Sequence, residues 1–211
     1  MATSTGPLRP LDEGKAASRN RLPASRGQTY VWDIFIRTFH WLLVTAFVVA
    51  YLTAEEIETV HIWAGYVTGI LVAMRIVWGF IGPEHARFSD FVYSPARVAA
   101  TARDLARFRG KRYLGHNPVG GASALVMLCL LVIITLSGLA IYAAADNAGP
   151  LAWWLGGADR KVKGILEEVH EISANIMVAL IILHIIGVIF ESFLHRENLV
   201  KSMWTGLKRS K

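Results

Sequence analysis

The chain has a single cysteine, Cys129, among 211 residues, which rules out an intramolecular disulfide and any Cys-x-x-Cys-His site for covalent attachment of a cofactor. Charge is sparse as well. Asp, Glu, Lys and Arg make up 18% of the residues against 54% hydrophobic ones, and a mean hydropathy of +0.40 excludes an ordinary soluble domain of this length. Segments broken by Gly or Pro at mid-span, which mark transporters, are also missing. Residues 1–28 hold Arg9, Lys15, Arg19, Arg21 and Arg26 among Pro, Ser, Gly and Ala, with no apolar stretch to serve as a signal-peptide h-region. They are expected to form a disordered basic cytoplasmic tail, and residues 29–211 a single domain.

What is present is four long apolar segments, about Ile34 to Ala54, Val60 to Ile81, Ala122 to Ala145 and Val169 to Phe193. Each approaches or exceeds the roughly 20 residues that cross a bilayer core. The expected fold is all-α, an integral membrane four-helix bundle in contact with lipid. Basic residues are unequally shared between its two sides. The connection between the second and third spans carries Arg87, Arg97, Arg103, Arg107, Arg109, Lys111 and Arg112, and the C-terminal tail carries Arg196, Lys201, Lys208, Arg209 and Lys211. The opposite side has a turn with Glu55, Glu56 and Glu58, and a loop from Ala143 to Glu168 that includes Trp153, Trp154, Arg160, Lys161 and Lys163. The positive-inside rule therefore places both termini in the cytoplasm. The net charge of +6 reports this topology beside anionic lipid, and no nucleic-acid partner is expected. Ser94-Pro95 reads as an N-cap and first helical residue, opening a basic amphipathic stretch to about Phe108 along the membrane surface.

Four histidines sit toward the ends of these spans. His170 and His184 are fourteen residues apart on one run, roughly 21 Å along a helix and close to a whole number of turns. Both imidazoles therefore face one interior at two depths. With the spans alternating in direction, the levels match as His61 with His170 on the outer side and His40 with His184 on the inner side. Two opposed imidazoles can fill both axial positions of a haem iron and leave an outer-sphere electron carrier. The pattern thus reads as two non-covalent haems, each with a bis-histidine iron. A competing pattern is the Glu-x-x-His pair of di-iron bundles, present as Glu58 with His61 and Glu167 with His170, but it leaves His40 and His184 without a purpose.

The same two segments form a weak repeat, Glu-Thr-Val-His-Ile at 58–62 and Glu-Glu-Val-His-Glu at 167–171. Arg75 follows His61 by fourteen residues, as His184 follows His170. Its guanidinium is placed to pair with a haem propionate or a bound quinone at the inner level, the alternative being an arginine that snorkels to the interface. Arg37, nearly one turn from His40, is a weaker candidate of the same kind.

Several strings, Arg37-Thr-Phe-His40-Trp41, His61-Ile-Trp-Ala-Gly65, Arg75-Ile-Val-Trp-Gly-Phe-Ile-Gly-Pro83, His85-Ala-Arg-Phe-Ser-Asp-Phe91 and Tyr113-Leu-Gly-His-Asn-Pro-Val-Gly-Gly121, resemble the bacterial cytochrome b561 and nickel-iron hydrogenase b-type cytochrome family from about Tyr30 onward. The resemblance implies a bacterial inner-membrane, multi-pass protein with two b-type haems. Its axial ligands fall on His40, His61, His170 and His184, with a quinone as electron acceptor or donor. It also draws His116 toward the inner haem or quinone. Members differ in partner. The expected function is electron transfer between the quinone pool and a periplasmic cytochrome c or dehydrogenase subunit in a respiratory chain, more as a carrier or subunit than as an enzyme. The alternative is a stand-alone superoxide:quinone oxidoreductase.

Overall fold

The computed structural model describes residues 27–210; the expected basic tail lies almost wholly outside them. Four helices are long and apolar enough to span a membrane: α1 (Ile34–Thr53), α2 (Glu58–Ile81), α5 (Pro118–Asp146) and α7 (Arg160–Leu194). Between α2 and α5 lie a 3-10 turn (Glu84–Ala86) and the short helices α3 (Phe88–Phe91) and α4 (Pro95–Ala106). Helix α6 (Ala152–Leu155) joins α5 to α7, and α8 (Leu199–Thr205) follows α7. Each capping side chain explains a start. Asp33 accepts from Ile36 N at 3.0 Å, Asn117 from Gly120 N at 2.7 Å and Asp159 from Val162 N at 2.8 Å, satisfying amides that open a helix.

Pairing runs α1 with α2 and α5 with α7, joined where α2 meets α5; α1 and α7 are not a closely packed pair. The crevice between them is crossed by Tyr51, whose hydroxyl donates to Asn175 Oδ1 at 3.0 Å. The centre of the bundle is filled by Phe47, Val72, Leu131, Ile134 and Met177. Outward-facing residues such as Leu52, Ile70, Phe80, Leu136, Leu183 and Phe193 are more than half exposed, as a lipid-facing surface requires. The molecule is a membrane helical bundle.

Two strands stitch the ends together. β1 (Gln28–Tyr30) pairs antiparallel with β2 (Leu207–Arg209), Thr29 opposite Lys208. Gly206, at φ +82° where a side chain would be strained, ends α8 and lets its carbonyl accept from Val31 N at 2.9 Å and Trp32 N at 3.2 Å. The α2–α5 connection and the C-terminal segment thus share one end of the bundle, called here the strand end, and the α1–α2 and α5–α7 connections lie at the opposite end.

One expectation needs correction. The connection before the fourth span does not extend to Glu168, because Asp159 caps a helix that already begins at Arg160. Arg160, Lys161 and Lys163 therefore ride on a rigid first turn. At about 1.5 Å per residue, the 35 residues of α7 run far beyond the hydrocarbon core.

Candidate functional site

At the end opposite the strands, His61 of α2 faces His170 of α7, ring centroids 6.0 Å apart and planes at 76°. Each ring is anchored through one nitrogen. His61 Nδ1 donates to the Ala50 carbonyl of α1 at 2.8 Å, and His170 Nδ1 donates to the Ile134 carbonyl of α5 at 3.0 Å, with Ser137 Oγ 3.1 Å away. Such bonds fix the tautomer and leave Nε2 with its lone pair free, the arrangement of a metal-ligating histidine. Gly138 lets the His170 ring lie against α5, since a Cβ there would stand 3.0 Å from the ring Cε1.

Seven residues below His170 on the same face of α7 is Met177, 1% exposed, and seven further is His184. Met177 and Phe47 fill the space between the two levels. At the strand end, His184 lies within electrostatic reach of His40 on α1. Here the polar atoms are short of partners. Of the buried side-chain nitrogens and oxygens without a hydrogen bond among the described residues, Arg37 Nε, Trp41 Nε1, Arg75 Nη1 and His116 Nδ1 all belong to this end, and Thr135 Oγ1 lies on α5. Arg75 is 8% exposed; its guanidinium lies 5.2 Å from the Phe88 ring centre and 5.6 Å from that of Phe91. Arg37 donates through Nη2 to the Trp204 carbonyl. His116 is enclosed by Trp32 and Phe91, ring centroids at 4.8 and 5.0 Å. Burial, reinforced by Arg75, Lys208, His184 and His85, pushes its pKa down from 6.5 to about 3.

The remaining candidates separate from this axis. His85 pairs with Asp90 at 3.1 Å, and with Glu84 forms the metal-type cluster found among the described residues. Glu58 and Glu167 join no such cluster; Glu167 instead pairs with Lys163 at 3.7 Å. Reasoning from sequence missed the Ala50 and Ile134 carbonyls and Ser137, which hold the rings, and Trp41. Trp41 had a signal, being a tryptophan adjoining His40 within a span. The carbonyls had none, because any helical residue offers one.

These residues fit a haem. Two imidazoles, each about 2.0 Å from a shared metal, have ring centroids about 6 Å apart, which matches the His61–His170 pair. A haem carries two carboxylates, and donors such as Arg37 Nε, Trp41 Nε1 and Arg75 Nη1 are the groups such carboxylates need. Fold and site together define a b-type cytochrome of the membrane. The chain belongs to the family described as prokaryotic cytochrome b561, whose profile matches residues 31–206.

Among similar proteins is one from Cupriavidus necator named "Probable Ni/Fe-hydrogenase B-type cytochrome subunit", 27% identical and covering 100% of this chain and 96% of the relative. A protein of the same name from Azotobacter chroococcum is 26% identical over 86% of this chain and 89% of its own length. "Probable Ni/Fe-hydrogenase 1 B-type cytochrome subunit" of Escherichia coli K12 is 21% identical over 86% and 91%. No solved structure matches the chain.

Proposed function

We propose that the chain holds two b-type haems and carries electrons between a periplasmic donor and the quinone pool of a bacterial inner membrane. His61 with His170 and His40 with His184 would hold the two haem irons. The observation that carries this reading is the 6.0 Å His61–His170 pair with both Nδ1 atoms already committed to carbonyls. Haem bound at such a pair supplies reversible one-electron chemistry with no open coordination site. The protein's part is to fix the imidazoles, shut out water with the Met177 layer, and present Arg37, Trp41 and Arg75 to the propionates at the strand end. Basic residues concentrate there, so that end faces the cytoplasm, and the His61–His170 level lies on the periplasmic side.

The names of the relatives support a nickel-iron hydrogenase as the donor; a soluble cytochrome c or another dehydrogenase subunit would meet the same level. The enzymatic alternative, superoxide:quinone oxidoreduction, faces an unfavourable field. Glu55, Glu56, Glu58, Glu168 and Glu171 are exposed around the His61–His170 level and outnumber Arg160, Lys161 and Lys163 on the first turn of α7, so the carboxylates nearest that level repel an anion. The purified chain, mixed with superoxide or with reduced donor, tests the choice. Haem reduction that requires the donor protein, followed by reoxidation on adding quinone, is expected; fast reduction by superoxide alone supports the alternative.

A further inference from the structure

The face of α7 that carries His170, Met177 and His184 returns after seven more residues at Glu191. A carboxylate there stands two turns beyond the His184 level, three residues before the end of an otherwise apolar stretch of helix. Glu191 is partly covered, and its Oε1 accepts from Nδ2 of Asn117, the buried N-cap of α5. Behind it stands Lys208 of β2, 6% exposed, within electrostatic reach of Glu191 and with Nζ donating to the Tyr113 carbonyl at 3.4 Å. The residue before Asn117 is His116, whose buried Nδ1 has no hydrogen-bond partner among the described residues and which lies within electrostatic reach of Arg75 and His184. Lys208, Glu191, Asn117 and His116 thus form a polar seam from the strand-end surface to the His40–His184 level.

We infer that Glu191 is the proton-accepting group coupled to the inner redox level, taking up one proton from the cytoplasmic side when an electron arrives there. The inference rests on the reading of that level as a haem site. Electron arrival adds one negative charge; a carboxylate that becomes a carboxylic acid removes one, so the net charge of the region is unchanged. When the electron leaves for a quinone, the proton goes with it. Two such deliveries place two electrons on the ring and one proton on each carbonyl oxygen, giving the hydroquinone. The charged and titratable groups near Glu191 are Lys208 from β2, with Arg112, Glu197 and His195 sharing its surroundings, and His116, which adjoins the hydrogen-bonded Asn117 in the loop before α5. α5 presents none at this end.

A merely structural Glu191 would pin the loop through its hydrogen bond, which Gln retains as an acceptor. The test is Glu191→Gln in the full haem-loaded chain, read by redox-induced infrared difference spectra and by the pH dependence of the inner midpoint potential. The parent is expected to gain a protonated-carboxyl band on reduction and to show a potential that falls as pH rises. The variant is expected to lose both with its haem content unchanged. A variant that keeps the band and the slope overturns the inference. Should Gln displace the haem, Asn117→Ala keeps the carboxylate and removes its donor; the band is then expected at a shifted frequency, and an unmoved band refutes its assignment to Glu191. A His184→Ala chain with an unaltered haem spectrum would instead refute the inner level itself, and the inference with it.

Discussion

His116 is the residue where burial and charge conflict most, and it sets a pH dependence. In an unfolded chain its ring takes a proton as pH falls below about 6.5, while in the folded protein it stays neutral down to about 3. The unfolded state therefore binds more protons throughout that window, and folding stability falls as pH drops through it. The thermal midpoint of the purified protein is expected to decline from pH 6.5 toward pH 4, and His116→Gln, neutral at every pH, to flatten that decline. Parallel curves would show that the burial of this ring does not matter. At the other level, Gly138→Ala presses on the His170 ring, and a shifted potential of the outer haem with the inner one unmoved is the expected result of a redox titration.

At the scale of elements, α7 is the spine of the molecule, and Met177 is the side chain that keeps its two histidine levels apart. Truncating a fully buried methionine leaves a cavity worth about 2–5 kcal/mol. Met177→Ala should lower the thermal midpoint while the Soret absorbance per chain stays constant. The strand pair is held by Glu197, which accepts from Arg112 at 3.1 and 3.0 Å and from Arg209 N at 2.8 Å. Burial alone would raise its pKa, but those bonds and the nearby Arg112 and Lys208 charges hold it below the usual carboxylate range. Its contribution is fully present above about pH 4.3 and is lost as pH falls through the lower folded value. Glu197→Ala removes the carboxylate from Arg112, which keeps only its bond to the Arg209 carbonyl, and a cost of about 1–3 kcal/mol, read as a lower thermal midpoint at pH 7, is expected.

The four spans were legible because apolar runs of such length have few other uses, and the facing of His61 and His170 because spans that alternate in direction bring those two positions to one depth. The start of α7 was hidden. Asp159-Arg-Lys-Val-Lys reads as a charged loop until Asp159 is seen to cap a helix. β1 and β2, three residues each, join positions about as far apart as the chain allows, and no local pattern announces them. Asn117 and Glu191 meet across 74 residues, so the seam beside the inner level depends on the packing of α5 against α7 and could not be read from either segment.

At the scale of the whole molecule, the two ends differ in charge and so in the partners they face. The strand end is basic and seals both described ends of the chain together, while the opposite end offers carboxylates and the exposed Trp153 and Trp154. A reporter fused to the C-terminus is expected to behave as cytoplasmic, with a fluorescent fusion bright and a phosphatase fusion inactive; the reverse would invert the bundle. The most direct test of the paired levels is haem quantified per polypeptide by its reduced-minus-oxidised spectrum, in the parent and in His170→Ala. Two low-spin b haems in the parent and one in the variant are expected. Two normal haems in His170→Ala, or a parent with bound non-haem iron and no haem bands, would contradict the bis-histidine assignment.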